Sequence, residues 1–106
     1  MNVRALADAE VDIRYAAADL EFYRRGFRQQ FLEAFRRVVE NLRRFPQMYS
    51  LVDDEVPGHE VRNAILERFN YRIGYLVQSN ELVILAVAHT SRRPGHWHDR
   101  LDETLP

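Results

Sequence analysis

A chain of 106 residues is long enough for one domain with a single hydrophobic core and too short for two. Its 46% hydrophobic and 29% charged residues are typical of a soluble globular protein. The sequence has no cysteine, which excludes a disulfide framework and a thiolate metal site. A net charge of −1 argues against electrostatic capture of nucleic acid by the molecule as a whole.

The sequence carries no signal for secretion or for a membrane. Its first residues lack the basic and apolar regions of a signal peptide. The longest apolar run, residues 82–88, is far shorter than the roughly 20 residues that a membrane helix needs. We therefore expect a cytoplasmic protein that does not contact a membrane.

The N-terminal part of the chain predicts a short strand and two helices. Residues 1–6 are the candidate strand, and Asp8 can cap the first helix. Gly26 ends that helix, and Pro46 ends the second because proline disfavours helical geometry at the residue before it. Apolar residues recur at helical spacing in both segments, so residues 8–45 predict an antiparallel helical hairpin. The predicted core face of the second helix contains Phe27, Phe31, Phe35 and Phe45.

The clearest strand signal lies in residues 71–77, where the side chains alternate as a pleated strand requires. Ser79 and Asn80 tolerate turn geometry, and the uninterrupted apolar run over residues 82–88 predicts a strand buried on both faces. One face of the first of these strands carries Tyr71, Ile73, Tyr75 and Val77, and the other carries Arg72, Gly74 and Leu76.

Residues 61–66 form a weaker candidate strand, so residues 61–89 predict a three-stranded meander. A loop over residues 46–60 precedes the meander, and a polar C-terminal tail over residues 90–106 follows it. Together these segments predict a single domain that spans the whole chain.

The order strand, helix, helix and then three strands predicts an α+β fold. We expect the N-terminal strand to join a mainly antiparallel four-stranded sheet, with the helical hairpin packed on one face. The opposite face would then be left with Arg72, Arg62 and the polar segment that starts at His89. We therefore expect Arg72 and His89 to lie together on the uncovered face.

Several short motifs occur in a fixed order along this pattern. In the second half they are Phe45-Pro46, Val61-Arg62, Phe69, Tyr71-Arg72-Ile73, Tyr75, Leu85-Ala86-Val87-Ala88-His89, Arg93-Pro94 and Trp97. The first predicted helix adds Ala9, Asp12, Ala16, Ala17, Phe22 and Tyr23. The ordered set covers nearly the whole chain and resembles the toxins of the RelE/ParE superfamily of bacterial type II toxin–antitoxin modules.

The resemblance implies a growth-inhibiting toxin that a cognate antitoxin binds and neutralises. One branch of the superfamily inhibits DNA gyrase, and the other cleaves mRNA in the ribosomal A site with lysines, arginines and a tyrosine. This chain has no lysine, and it carries Ser91 and Trp97 where the RNA-cleaving branch tends to place a basic residue and a tyrosine. We therefore expect a gyrase-binding toxin that is not an enzyme and that forms a hetero-oligomer with its antitoxin. A RelE-like mRNA endoribonuclease and an inactive toxin-fold interaction domain are the alternatives.

Candidate site residues differ between these functions. For RNA cleavage, His89 is the candidate acid or base, because imidazole titrates near neutral pH, and Arg72 is the candidate phosphate ligand. The residues expected to contact a target or a phosphate are Arg62, Arg72, Arg92, Arg93 and Trp97. The residues expected to dock an acidic antitoxin are Arg36, Arg37, Arg43 and Arg44.

Several of these residues also have a purely structural interpretation. His89 can end a buried strand and bond to the backbone, and Trp97 can pack against the sheet as a lid. Arg92 and Arg93 can form a solvated turn. We expect neither a metal nor a cofactor, because no standard zinc ligand spacing is present among His59, His89, His96 and His98.

Overall fold

The computed structural model describes residues 1–51, 58–92, 97 and 99–101. Its elements in chain order are β1 (Asn2–Ala5), α1 (Ala7–Tyr23), α2 (Phe27–Arg44), β2 (Arg62–Leu66), β3 (Tyr71–Gln78) and β4 (Glu81–His89). Each predicted helix and strand is present close to its predicted bounds, which confirms the α+β fold. In the described part of the chain, neither helix has the length and apolar composition that a membrane crossing requires.

The four strands form one mixed sheet in the order β1-β4-β3-β2. The N-terminal strand β1 runs parallel to β4, and the other two pairs are antiparallel. Residues 82–88 are all buried, which confirms that β4 is covered on both faces. Ser79 and Asn80 turn the chain between β3 and β4 with φ angles of 50° and 57°, the left-handed geometry of a tight hairpin turn.

The helical hairpin covers one face of the sheet. From α1 the small side chains of Ala9, Ala16 and Ala17 are buried, so this helix can approach β4 closely. From α2 the buried side chains are Phe31 and Leu42, each without solvent exposure. The hairpin therefore packs on the sheet through small side chains of α1 and large side chains of α2.

The two helix termini at the hairpin turn are tied together by one carboxylate. Gly26 has a φ of 91°, which favours glycine, and it separates α1 from α2. The Glu21 carboxylate accepts N–H groups from Gly26 at 3.0 Å and from Arg28 at 3.2 Å. A side chain of the first helix thus caps the N-terminus of the second, where N–H groups lack intrahelical partners.

Two details of the predicted helices are wrong. Asp8 does not cap α1, because the residue at the cap is Leu6 and Asp8 lies inside the first turn. Phe45 is 62% exposed rather than part of the core. Helix α2 ends at Arg44, and Phe45 leaves helical geometry with φ −132° and ψ 71°, which turns its ring away from the buried stripe.

Among the described residues, no strand pairs with the outer edge of β4 beyond Ile84, and two charged side chains bind its backbone groups there instead. The last backbone bond from the N-terminal segment runs from the Leu6 N–H to the Ile84 carbonyl at 3.0 Å. Further along this edge, Asp12 Oδ2 accepts the Val87 N–H at 3.0 Å. Arg100 Nη1 donates to the Leu85 carbonyl at 2.9 Å and to Asp12 Oδ2 at 2.6 Å. An ion pair therefore satisfies backbone groups that a further strand would otherwise have to pair.

The face of the sheet opposite the helices is not bare. Trp97 is buried, and its ring lies 3.8 Å from the position that a Cβ at Gly74 would occupy. The indole therefore packs over β3 at Gly74, at a distance that would also accommodate a Cβ. This contact confirms the interpretation of Trp97 as a lid, and it corrects the expectation that this face is left uncovered.

The buried hydroxyl of Tyr75 should make the free energy of unfolding depend on pH in the alkaline range. Tyr75 donates its hydroxyl to the Pro46 carbonyl at 2.7 Å, and burial raises its pKa above the ordinary value of 10.0. Above about pH 10 the unfolded chain releases this proton first, so the free energy of unfolding should fall as the pH rises. Tyr75→Phe should make this fall shallower and should cost about 1 kcal/mol at neutral pH through the lost hydrogen bond. Urea unfolding between about pH 7 and 11 measures both effects, and an unchanged slope would contradict the assignment.

Candidate functional site

The exposed end of β4 carries the imidazole of His89, which is held by the turn that follows it. The Ser91 N–H donates to His89 Nδ1 at 3.1 Å, and Ser91 Oγ lies 2.8 Å from the same nitrogen. Because a backbone N–H can only donate, Nδ1 is the acceptor, and the neutral ring carries its proton on Nε2. This geometry leaves Nε2 as the ring nitrogen that can face an incoming molecule.

His89 lies on the helix side of the sheet. Its cross-strand partner is Tyr71, and the two rings meet edge to face with centroids 5.4 Å apart. Tyr71 in turn contacts Phe31 of α2 at 5.4 Å. Burial raises the pKa of Tyr71 above its ordinary value of 10.0, and the nearby Asp19 carboxylate raises it further.

Arg72 lies on the opposite face of the sheet from His89, contrary to our expectation. Its cross-strand partner is Ala88, the neighbour of His89, and successive side chains in a strand point to opposite faces. Arg72 Nη2 donates to the Thr90 carbonyl at 2.6 Å, so the guanidinium braces the turn after β4. The strand alternation itself was predicted correctly, but β4 places His89 in register with Tyr71 rather than with Arg72.

Arg62 is also absent from the face on which we expected it. It pairs with Tyr75, whose side chain belongs to the helix side, and Arg62 Nη1 donates to the Tyr49 carbonyl at 2.6 Å. The segment around Tyr49 runs beside β2, because the Asn63 N–H donates to the Ser50 carbonyl at 3.4 Å. Arg62 therefore fastens the chain after α2 to the outer edge of the sheet.

The remaining predicted target residues differ in exposure. Arg92 is exposed, and its N–H donates to the His89 carbonyl at 3.0 Å, so the side chain leaves the same turn that holds the imidazole. Trp97 is only 3% exposed and has little surface to offer a target. Arg93 and His96 lie outside the described residues. At this end of the sheet, His89 and Arg92 are thus the described candidates that can touch another molecule.

The second predicted surface lies along α2. The four arginines predicted to form this surface are exposed, and helical periodicity places them on one side of the helix. Arg43 is engaged with Glu40 at 3.0 Å and with the Met1 carbonyl at 3.1 Å. The α2 arginine face, as we name it, consists of Arg36, Arg37, Arg43 and Arg44.

A cluster of arginines and aromatic rings at the hairpin turn was not predicted. The guanidinium groups of Arg24 and Arg68 lie 5.4 Å and 5.9 Å from the centroid of the Phe27 ring. Arg68 also lies 5.1 Å from the ring of Phe69, which contacts Phe27 edge to face. These are cation–π distances. No local pattern could have indicated the cluster, because the β2–β3 turn brings Arg68 to α2 from far along the chain.

The fold and the surfaces together define the class of protein. A helical hairpin lies on one face of a four-stranded sheet, and arginine surfaces lie at the end of β4 and along α2. The family model of the "ParE toxin of type II toxin-antitoxin system, parDE" matches residues 5–94. The chain is therefore a toxin of the RelE/ParE superfamily. Within that superfamily it belongs to the ParE toxin family of type II toxin–antitoxin systems.

A solved structure shares the fold. The chain is similar to a structure described as the chromosomal ParDE TA system from P. aeruginosa, with a TM-score of 0.59. The match covers 84% of this chain and 95% of the other at 23% sequence identity, which supports the fold alone. No curated protein matches the sequence.

Proposed function

We propose that this toxin inhibits growth in the cytoplasm by binding DNA gyrase, and that a cognate antitoxin binds and neutralises it. Membership of the ParE toxin family supports the proposal, because the ParE-like branch of the superfamily is the one that the sequence resemblance associates with gyrase. The observation that carries the proposal is the separation of Arg72 from His89 by the sheet. Without these two groups on one side, binding explains the described surfaces better than catalysis does.

Cleavage of RNA by attack of a 2′-hydroxyl needs a base, an acid and a cation beside the same phosphate. His89 offers Nε2 on the helix side, whereas Arg72 is engaged with the Thr90 carbonyl on the other side. The phenol of Tyr71 is protonated at neutral pH, as phenols ordinarily are, and burial raises its pKa further, so it is unsuited to act as a base. The described residues at this end therefore supply separate parts of such a site and not a joined set.

Two exposed surfaces suit two different partners. His89 and Arg92 form the surface at the end of β4 that we assign to gyrase. The α2 arginine face suits an acidic antitoxin, because guanidinium groups pair with carboxylates in bidentate geometry. Arg43 forms an ion pair with Glu40. Among the described residues, no carboxylate lies within ion-pair distance of Arg37 or Arg44. Arg37 and Arg44 are therefore the sharper positions for substitution.

The proposal predicts that substitutions on the two surfaces have different effects in a supercoiling assay. Purified toxin should block the supercoiling of relaxed plasmid by gyrase, and added antitoxin should restore it. Arg92→Glu should raise the toxin concentration for half-inhibition about tenfold, as expected for a charge reversal at an interface. Arg37→Glu with Arg44→Glu should leave inhibition unchanged but should raise the antitoxin concentration for relief about tenfold.

Each variant is the control for the other, because both reverse exposed arginines of the same fold. Equal weakening of inhibition by both variants would indicate a general charge effect and would contradict the two-surface assignment. Intact supercoiling at excess toxin, together with ribosome-dependent mRNA cleavage that His89→Ala abolishes, would replace the proposal with an mRNA endoribonuclease. If expression without antitoxin caused no growth defect, the remaining interpretation would be an inactive toxin-fold interaction domain.

A further inference from the structure

Helix α1 carries a second apolar stripe, on the side that faces away from the sheet. The buried side of α1 contains Ala9, Ala16 and Ala17, as expected for a helix that packs on β4. The outward side exposes Val11, Tyr15 and Phe22 by 36%, 69% and 96%. A side chain as large as Phe22 that is almost fully exposed in a row of apolar residues marks an interaction surface.

The stripe has the spacing of a coiled-coil seam. The residues Val11, Tyr15, Ala18 and Phe22 follow one another at intervals of four, three and four positions. Alternating intervals of three and four are the a and d positions of a heptad, which face a partner helix. We name these four residues the outer seam of α1.

The charges at the two ends of the outer seam are opposite. Asp8 and Glu10 lie in the first turn of α1, and both are exposed. Arg24 and Arg25 follow its last turn, also exposed. In the described part of the chain no carboxylate lies within 4.0 Å of either arginine, whereas Asp8 reaches Arg100 Nε at 3.8 Å. The seam is therefore acidic at its start and basic at its end.

We propose that the outer seam of α1 binds the same seam of a second copy of this chain, antiparallel and about a two-fold axis. In this arrangement Val11 meets Phe22 of the second copy, and Tyr15 meets Ala18 of the second copy. Each layer joins a larger ring to a smaller side chain, as interdigitated packing requires. The acidic start of each helix lies over the arginines that end the other.

Self-complementarity is what favours a second copy over another occupant. A two-fold interface uses the same surface on both chains, so if one residue contacts a second residue of the other chain, that second residue makes the same contact in return. The outer seam meets this condition when it is antiparallel. A parallel pairing would set Phe22 against Phe22, Asp8 against Asp8 and Arg25 against Arg25, which like-charge repulsion disfavours.

The seam is short, so the dimer should be weak. Four layers bury less than the roughly 1,200 Å² of a standard interface, and we expect a dissociation constant on the order of 10–100 µM. Sedimentation equilibrium of the purified toxin at concentrations on both sides of this range measures it. Phe22→Glu should weaken the dimer at least tenfold. The matched control is Met48→Glu, which places the same charge at another exposed apolar residue and should leave the constant unchanged.

The absence of native cysteine allows the orientation to be tested directly. Val11→Cys and Phe22→Cys chains, mixed under mild oxidation, should form a disulfide-linked heterodimer. Val11→Cys alone should not cross-link. In the antiparallel pair its two copies are about 16 Å apart along the helix axis, since each residue adds about 1.5 Å, and a disulfide needs Cα atoms within about 7 Å.

Three results would overturn the proposal. One is a monomer at all concentrations, and another is a dimer that Phe22→Glu and Met48→Glu weaken equally. The third is efficient cross-linking of Val11→Cys alone, which would indicate a parallel pair. If the toxin is monomeric and Phe22→Glu instead abolishes binding of the antitoxin, the outer seam belongs to the antitoxin and the second copy is excluded.

Discussion

Replacing Asp12 by alanine should lower the free energy of unfolding by about 3–5 kcal/mol, as expected when one partner of a buried ion pair is removed. Asp12 Oδ2 accepts both the Val87 N–H and a guanidinium N–H of Arg100. Both side chains of the pair are largely buried, so the substitution leaves a cation and a backbone donor without their acceptor. It also frees the edge of β4, because Arg100 reaches the Leu85 carbonyl beside the same carboxylate.

Urea unfolding followed by circular dichroism measures this loss. Asp12→Asn keeps an oxygen that can accept the Val87 N–H but removes the charge that pairs with Arg100, so it should fall between wild type and Asp12→Ala. Asp19→Ala is the control, since it removes an exposed acid from the same helix and should cost less than about 0.5 kcal/mol. Equal losses for Asp12→Ala and Asp19→Ala would mean that the carboxylate at the sheet edge does not stabilise the fold.

The fold could be predicted because each of its elements has a local signal. The strand β3 alternates, β4 is continuously apolar, and α2 carries aromatic residues at helical spacing up to a proline. The turn at Ser79 and Asn80 uses residues that accept left-handed geometry. Each of these signals depends only on residues that are close in the sequence, so the elements can be predicted without knowledge of the tertiary structure.

The parallel pairing of β1 and the ion pair at the edge of β4 had no such signal. Arg100 and Asp12 are 88 positions apart, and nothing in the local pattern of either residue indicates the other. In the sequence, Asp12 is only one of the motif residues of the first predicted helix. Long-range polar contacts of this kind depend on which backbone groups the topology leaves unpaired, and that is known only once the sheet has been assembled.

The candidate site shows how a correct strand prediction can still misplace side chains. The face of each residue in β3 was predicted correctly, but the relative register of β3 and β4 was not available from either strand alone. A β-bulge near Gly74 shifts that register between the two halves of the hairpin. A shift by one residue exchanges the faces of all side chains in one strand relative to the other. Arg72 and His89 consequently lie on opposite faces.

The same dependence on tertiary structure explains the two faces of α1. A single helical pattern was expected, with apolar residues toward the sheet and polar residues outward. The structure buries Ala9, Ala16 and Ala17 toward the sheet, as that pattern requires, but it also exposes Tyr15 and Phe22 on the outward side. Periodicity identifies apolar stripes, but it does not state which stripe faces the core when a helix has two. In α1 the side with the small alanines faces the core, and this allows the helix to pack closely on β4.

Trp97→Ala should be the other strongly destabilising substitution, with a loss of about 3 kcal/mol. Truncation of a buried tryptophan commonly costs about 3–5 kcal/mol. Two polar atoms on the same face of the sheet, Asn63 Oδ1 and Arg72 Nε, are buried without a hydrogen-bond partner among the described residues. Opening the lid admits water to them, and this gain of about 1–3 kcal/mol offsets part of the packing loss.

Urea unfolding of Trp97→Ala, Trp97→Phe and Gly74→Ala separates packing from any direct role of the indole. Trp97→Phe should cost less than alanine because it keeps a ring over Gly74. Gly74→Ala should cost less than about 1 kcal/mol, since its Cβ would meet the indole at the ordinary contact distance of 3.8 Å. The inhibition of supercoiling by folded Trp97→Ala should equal that of wild type, because the indole is buried in the lid. Loss of inhibition by a variant that remains folded would instead identify Trp97 as a contact with the target.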